Sequence, residues 1–416
     1  MKVLQLCGKD FFGAGRAAYR LHKGLLNAGV DSVMWVGAKR TKDDTVIDIQ
    51  KSNYKKKLTK VYVNLEKLII KGSAGGATEM FSLGYPAHGI RKKIEHEKPD
   101  LIHIHWINRG FFNLRDLQKL NIPIVISLHD MWWYTGGCHY DEECGAYVRG
   151  CESCPVLKKD AQQGLSYRQL RAKKGILQTT KHLTFIGLSA WMKDCVSESL
   201  IGKEHQVVGL PNGIDTNKFK PLHKDECREK LGLPKNKKLI MFAAVDVLSE
   251  SRKGYRYISE ALKKLNNDKY ELVVIGEKSQ ETTIGGLKTY FLGEINDDQL
   301  MIEYMSSVDV AVVPSLQENL SNLIMESLSC GTPVVAFKIG GNGDMIQHQK
   351  NGYLAEDKNV TDLAKGIEYC TIDEYQEALS NSARQNVLDH FNIRDIAPKY
   401  IDLYQSIIKN ISGNNA

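Results

Sequence analysis

The chain alternates between short apolar runs and longer amphipathic stretches. "KVLQL" is a strand, "CGKDFFGAG" a glycine-bearing loop, and "RAAYRLHKGLLNAG" a helix with Ala18, Leu21, Leu25 and Leu26 at helical spacing. "DSVMWVG" is the next strand. "PDLIHIHW" and "PIVISLHD" are apolar runs behind proline, the pattern of buried parallel strands, and "LTFIGLS" and "HQVVGLPNGID" continue the series. A second series begins near residue 237: strand "KKLIMFAAV", helix "GYRYISEALKKL", strands "YELVVIG" and "KTYFLG", helix "DDQLMIEYMSSV", strand "DVAVVPS", helix "LSNLIMESLSC", strand "PVVAF". Such alternation predicts parallel sheets covered on both faces. Two series joined near "PNGIDTNKFKPL" predict an α/β fold of two doubly wound domains, residues 1–215 and 216–395, with a terminal helix over 396–416. Ligands of such sheets bind at the strand C-termini, so a cleft between facing domains is expected.

Composition changes this picture little. The chain has 416 residues, 42% hydrophobic and 25% charged, which suits a globular protein of more than one domain. The N-terminal apolar run is too short for a signal peptide, and no run approaches the ~18 apolar residues of a membrane span. A cytoplasmic location is expected. Charge adds more. The net +7 divides into +11 for residues 1–215 and −4 for the rest, which points the first half toward an anionic membrane or a phosphorylated ligand, or marks a solvated basic face.

"ENLSNLIMES" places Glu318 and Glu326 around an uncharged stretch. Ser321 suits an N-cap, which predicts a helix over Asn322–Ser329, ended by Gly331 and Pro333. Unpaired amides around Asn319–Leu323 favour an anion such as a phosphate. Glu326, one turn in, can accept two hydrogen bonds from a ribose diol, and Glu318 can accept sugar hydroxyls. The bland alternative is that both carboxylates only offset the helix dipole.

With its flanks, "PSLQENLSNLIMESLSCGTPVVAF" resembles the glutamate-pair motif of the family-4 retaining glycosyltransferases of the GT-B fold, which build bacterial exopolysaccharides, lipopolysaccharides and capsules. "FFGAG" resembles that family's first glycine loop, "HIHW" and "LHD" its N-domain strand ends, "LPNGIDTNKF" its interdomain turn and "RKG" its basic donor site. The resemblance implies two Rossmann-like domains facing across a cleft, the first binding the acceptor and the second the donor. The 396–416 helix is expected to return to the N-terminal domain.

By that resemblance Glu326 holds the ribose hydroxyls, and Glu318 the hydroxyls of the transferred sugar. Asn319, Leu320 and Ser321 touch sugar and diphosphate, and Lys253 and Arg252 neutralise the diphosphate. Gly13 and Gly15 let the first loop approach the donor, and His129 faces the reacting sugar. Glu318, His129 and Lys253 form the implied catalytic set. Fixed cations would stabilise the leaving diphosphate without reorganisation. No DxD-like triad accompanies these motifs, so no catalytic cofactor is expected. One departure stands out: many members carry Gly-Arg after the strand before the Lys-Gly turn, whereas here "FAAVDVLSES" has Val245 and Asp246. Arg252 can take over that cation's place.

Cys138, Cys144, Cys151 and Cys154 follow C-x5-C-x6-C-x2-C inside an insertion at 138–154. Four thiols with one close pair suit a structural zinc ion, with free or redox-active thiols as the alternative. Trp132, Trp133 and Tyr134 just before them could stack on an acceptor sugar or pack as an aromatic plug. His103 and His105 alternate with Ile102 and Ile104 and read as satisfied buried histidines, two ligands being too few for a metal.

Tyr54, Leu58, Val61, Leu65, Leu68 and Ile69 form one helical stripe, with Lys55, Lys56, Lys57, Lys60, Lys67 and Lys71 mostly off it. Such a helix can turn its stripe to the core and its lysines to anionic lipid. The resulting expectation is a hexosyltransferase, peripheral at the inner membrane face. It would take a nucleotide diphosphate sugar and a polyprenyl-linked saccharide, and no nucleic acid. Two alternatives are a sugar-nucleotide epimerase on the same fold, and a zinc-bearing nucleic-acid binder, against which the acidic second half speaks.

Overall fold

The structure is a computed structural model and describes residues 1–74, 80–157, 161–243, 251–276, 279 and 282–413. The chain divides into two compact units. Met1–Gly213 and Arg394–Ala416 form the first, and Ile214–Ile393 the second.

The first unit is built on a seven-stranded sheet of β1 (Lys2–Lys9), β2 (Asp31–Ala38), β3 (Val46–Asp48), β4 (Leu101–Ile104), β5 (Ile124–Leu128), β6 (Leu183–Gly187) and β7 (Gln206–Gly209). Its order is β3-β2-β1-β4-β5-β6-β7, and every pairing is parallel. The central strands are buried along their whole length, because helices cover both faces and leave no polar side. The register aligns Gln5 of β1 with His103 of β4, so polar groups of the central strands meet inside the sheet's covering layer.

Four helices carry the side chains that bear on function: α1 (Phe12–Asn27), α2 (Asn53–Ala74), α3 (Asn322–Ser329) and α4 (Ile393–Gly413). The last turns of the chain belong to the first unit. Tyr400 and Tyr404 of α4 are buried there, and Tyr404 bonds His103 Nδ1 at 2.6 Å.

α2 departs from expectation. Most of its stripe faces outward: Tyr54, Val61, Leu65 and Leu68 are 74%, 57%, 44% and 66% exposed, while Leu58 is half-buried and Ile69 packs against the core. The opposite face is anchored instead. Glu66 and Ile70 are buried, Glu66 accepts the Leu83 amide, and Thr59 bonds His88 at 2.8 Å. Tyr62 lies edge-on to the His88 ring and closes over Gly110. Polar groups with specific partners thus fix the helix's rotation against its apolar periodicity.

The second unit carries β8 (Lys238–Ala243), β9 (Tyr270–Ile275), β10 (Thr283–Ile284), β11 (Leu287–Phe291), β12 (Val310–Val313), β13 (Val334–Phe337) and β14 (Gly352–Ala355). Their order is β10-β11-β9-β8-β12-β13-β14. All pairings are parallel except β10–β11, a hairpin turned by Gly285 and Gly286, both at positive φ. The helix Asp373–His390 is tied to the unit's first residues by Arg384, which donates to the Thr216, Phe219 and Ser329 carbonyls at 2.7–2.8 Å. Ser329 closes α3, so this clamp fixes that helix's far end.

Candidate functional site

In the second unit the site grows from the end of β12. The strand runs out at Val313, Pro314 follows, and the chain then passes through Glu318 into α3. α3 spans the residues expected of it. Ser321 occupies the N-cap position in extended conformation, but its hydroxyl makes no capping bond. Ile324, Met325 and Leu328 bury the helix's apolar face, while Asn319, Leu320, Ser321 and Glu326 are buried around its start and first turns.

The basic turn Ser251–Lys253 is laid against this strand end by Gly254. That residue has φ +75°, and a β-carbon on it would lie 1.9 Å from the Pro314 carbonyl oxygen. No other residue type fits so close an approach. Two bonds stitch the pieces together: the Leu316 amide donates to the Arg252 carbonyl at 2.8 Å, and the Arg252 guanidinium donates to the Gln317 carbonyl at 3.1 Å. The result is a Lys253 ammonium 3.3 Å from Glu318 Oε2, with Arg252 at 4.0 Å. Burial pushes the Glu318 carboxyl up, but Lys253 and Arg252 outweigh it and hold the group below its ordinary value. Val245 and Asp246, where the family's arginine is missing, lie outside the described residues.

Sequence reasoning missed the loop after β13. Gly340, at positive φ, and Gly341 bring the chain back so that the Gly341 amide donates to the Glu318 carbonyl at 3.3 Å. Asn342 donates to the Phe337 carbonyl, while its Oδ1 is buried without a hydrogen-bond partner. The signal was available: "IGGNGD" is a glycine-rich turn directly behind a strand.

In the first unit the expected glycine loop is instead the first turn of α1, which begins at Phe12. Gly15 is required there, since a β-carbon would lie 2.6 Å from the Lys9 carbonyl oxygen, whereas Gly13 faces open space.

His129 follows β5 directly and heads a buried chain. Its Nε2 lies 2.9 Å from His105 Nδ1, and His105 Nε2 lies 2.7 Å from Gln5 Oε1. Gln5 Oε1 can only accept, so His105 Nε2 carries a proton, His105 Nδ1 accepts, and His129 Nε2–H donates. Nδ1 of His129 is then the acceptor nitrogen. Burial pushes His129 down to about 4, with Asp130 partly opposing, so the ring is neutral near pH 7. Asp130 accepts from Trp132 N at 2.9 Å and Trp106 Nε1 at 3.2 Å and bonds His139 Nδ1 at 2.7 Å; burial pushes its carboxyl up, but His139 and these bonds hold it down. His103 is a satisfied core histidine, bonded to Tyr404 and Ser127.

Cys138, Cys144, Cys151 and Cys154 all line one small cavity of about 10 Å³ with Thr135, Asp141 and Tyr147. Burial pushes the Cys144 and Cys151 thiols up, Cys151 to about 12, and the hydrogen bond to Cys154 together with burial raises Cys138. Among the described residues no three His, Cys, Asp or Glu groups are already arranged to hold a metal ion. Lys173, 1% exposed, lies beside the cavity, donates to the Trp132 carbonyl and sits 4.4 Å over the Trp132 ring. Trp132, Trp133 and Tyr134 are buried, so they form the aromatic plug and offer no face to a sugar.

Comparison with known proteins agrees with this architecture. Residues 12–218 match the model described as Glycosyltransferase Family 4, and residues 223–386 match Glycosyl transferases group 1. An uncharacterized glycosyltransferase of Methanocaldococcus jannaschii is 25% identical over 73% of this chain and 82% of its own. The UDP-Gal:alpha-D-GlcNAc-diphosphoundecaprenol alpha-1,3-galactosyltransferase of Escherichia coli is 29% identical over 77% of this chain and 79% of its own. Among solved structures, sucrose-phosphate synthase of Thermosynechococcus elongatus superposes with a TM-score of 0.70 at 18% identity, covering 99% of this chain and 100% of that one, a likeness of fold.

Proposed function

Because the chain belongs to the group 1, family-4 glycosyltransferases, we propose that it moves a hexose from a nucleotide diphosphate sugar to a hydroxyl of a lipid-diphosphate-linked saccharide, with retention at the anomeric carbon. The observation that carries this reading is the Lys253–Glu318 pair, with Arg252 beside it, at the head of α3. An ammonium is held where a diphosphate can replace the carboxylate as its partner. Glu318, ionised and part-exposed, then accepts hydroxyl protons of the transferred sugar. Glu326, one turn into α3, takes the ribose diol.

In the transfer the bond from the anomeric carbon to the diphosphate oxygen breaks, and one to the acceptor oxygen forms on the same face. The departing oxygen takes the acceptor's proton. Lys253, Arg252 and the amides at the start of α3 stabilise the negative charge that grows on the diphosphate, and being fixed they cost no reorganisation. His129 offers a neutral ring for a sugar hydroxyl. No residue is asked to act as a covalent nucleophile.

A membrane-borne acceptor also accounts for α2. Among the described residues no helix is long and apolar enough to cross a membrane. α2 instead shows an exposed apolar row flanked by Lys57, Lys60, Lys67 and Lys71, also exposed, a pattern suited to lying in an anionic lipid surface. The chain would work there as a peripheral protein, at the inner face. The lipid-linked saccharide in the name of the Escherichia coli relative supports the same acceptor class.

The test is a thermal-shift screen of nucleotide sugars, followed by product analysis with a prenyl-diphosphate saccharide. One donor should stabilise the protein and be consumed only with acceptor present. Conversion of the donor to an isomer without acceptor would overturn the transferase reading in favour of an epimerase.

A further inference from the structure

Three neighbouring strands of the first unit, in the order β1-β4-β5, each contribute one member of a hydrogen-bonded chain. Gln5 lies within β1, His105 directly follows β4, and His129 directly follows β5. His129 Nε2 donates to His105 Nδ1 at 2.9 Å, and His105 Nε2 donates to Gln5 Oε1 at 2.7 Å. Gln5 and His105 are buried, whereas His129 is half-buried and is the member that reaches the surface.

The middle ring is braced by a second set of bonds. The His103 ring centre lies 4.2 Å from that of His105, tilted by 34°. His103 is itself held by the Tyr404 hydroxyl at 2.6 Å and the Ser127 hydroxyl at 2.8 Å. Tyr404 belongs to α4, so the last helix takes part in holding the histidines. Burial keeps His103, His105 and His129 below the ordinary histidine value, so each ring carries a single proton near pH 7.

Which nitrogen of a histidine holds that proton is set by the bond the other nitrogen makes. A proton on Nδ1 of His129 would leave its Nε2 lone pair facing His105. His105 would then either oppose it with a second lone pair, or move its own proton to Nδ1 and turn a lone pair on the Gln5 carbonyl oxygen. Both arrangements leave a buried acceptor against an acceptor, the costly case of an unmade buried bond. Gln5 ends the chain with an amide, which takes up no proton near pH 7, so the chain orients His129 and does not conduct protons away from it.

We propose that Gln5 and His105 are positioning residues that lock His129 with its proton on Nε2, so that Nδ1 meets the ligand as a fixed hydrogen-bond acceptor. The group it recognises is a hydroxyl that donates. That this hydroxyl belongs to the transferred sugar rests on the transferase reading.

The experiment reads the ring nitrogens of His129 by NMR in protein carrying isotope-labelled histidine, with His129→Gln to assign the signals. Near neutral pH the native chain should show Nε2 protonated and Nδ1 bare. Gln5→Leu removes the terminal acceptor and should mix the two forms, whereas Gln5→Glu keeps an acceptor oxygen and should preserve the native one. Calorimetry then uses the nucleotide sugar picked out by the thermal-shift screen. Its affinity should fall about tenfold in Gln5→Leu, the scale of one misplaced hydrogen bond, and recover in Gln5→Glu. Gln5→Leu should cost nothing further when added to His129→Gln. A proton on Nδ1 in the native chain overturns the proposal, as does an unchanged His129 form in Gln5→Leu. An equal loss of affinity in the His129→Gln background overturns it too, because a merely structural role of Gln5 would produce that. The nitrogen signals need neither ligand nor turnover, so they stay readable if the transferase reading fails.

Discussion

The Lys253 ammonium and the Glu318 carboxylate stand 3.3 Å apart, although 65 residues separate them. Each is the other's partner in the structure. In the proposed reaction an entering diphosphate would take over the cation, so the pair would act as a preset exchange of one anion for another. Lys253→Ala should lower kcat on the order of 100-fold, the usual scale for losing one preorganised charge-stabilising group. Arg252→Ala should cost less, because that guanidinium is farther away and tied to the Gln317 carbonyl. Equal kcat in Lys253→Ala and the native enzyme would remove the lysine from the chemistry.

The same pair sets a pH dependence. Lys253 and Arg252 outweigh burial and hold Glu318 below its ordinary value, so the carboxylate stays ionised, and the role proposed for it should be lost only as pH falls below 4.5. Removing Lys253 leaves burial less opposed and raises that value. Any acid limb of kcat/KM that belongs to Glu318 should therefore move to higher pH in Lys253→Ala. A limb that moves down would contradict the assignment.

Gly254→Ala tests how the basic turn is placed. The new β-carbon meets the Pro314 backbone at 1.9 Å, and φ +75° adds its own strain. A loss above about 1 kcal/mol is expected by urea unfolding. Affinity for the nucleotide should fall as well, since Lys253 is displaced from Glu318. An unfolding midpoint like that of the native chain would show that the turn does not depend on this contact.

The first unit should be acid-sensitive. Burial lowers His22 to about 4 and His103 to about 3, and holds His105 well below its ordinary value. These folded-state values lie below the unfolded 6.5, so the unfolded chain binds more protons between them. Stability is full above about 6.5 and falls as pH drops toward 4, by on the order of 1 kcal/mol per pH unit for each such histidine. Chemical unfolding at pH 7.5, 6 and 5 measures this. A pH-independent midpoint would show that the rings are not held neutral.

The four cysteines around one cavity remain the donor set proposed for structural zinc. Protein purified without chelator should carry about one zinc ion per chain, released when the thiols are alkylated. The bound thiolates would find a counter-charge in the Lys173 ammonium. Metal-free protein with four freely alkylated thiols would defeat the proposal.

α2 should bind anionic lipid through both its features. Phosphatidylglycerol–phosphatidylcholine vesicles at low salt should co-sediment the protein, and pure phosphatidylcholine should not. Replacing Val61, Leu65 and Leu68 with serine, or Lys57, Lys60, Lys67 and Lys71 with glutamine, should each weaken binding by at least about tenfold. Fold stability should change little, because these side chains are exposed. A serine variant that binds like the native chain would leave the apolar row without a role.

The alternating pattern of buried strands and amphipathic helices determined two parallel-sheet units by itself, because a strand covered on both faces must be apolar throughout. It also determined α3, from a cap-type serine before the helix and a Gly-x-Pro stop after it. The glutamate motif was legible because α3 and the preceding strand end are contiguous in sequence. Only the tertiary structure decided what crosses large separations. The sequence could not bring Lys253 to Glu318, because that depends on a glycine pressed against the Pro314 carbonyl. Nor could it orient α2. Periodicity marks an apolar face, but the bonds of Glu66 and Thr59 and the packing of Tyr62 on Gly110 turned that face to solvent. Local propensity follows from the order of residues. Which distant side chains share a face follows from register and packing.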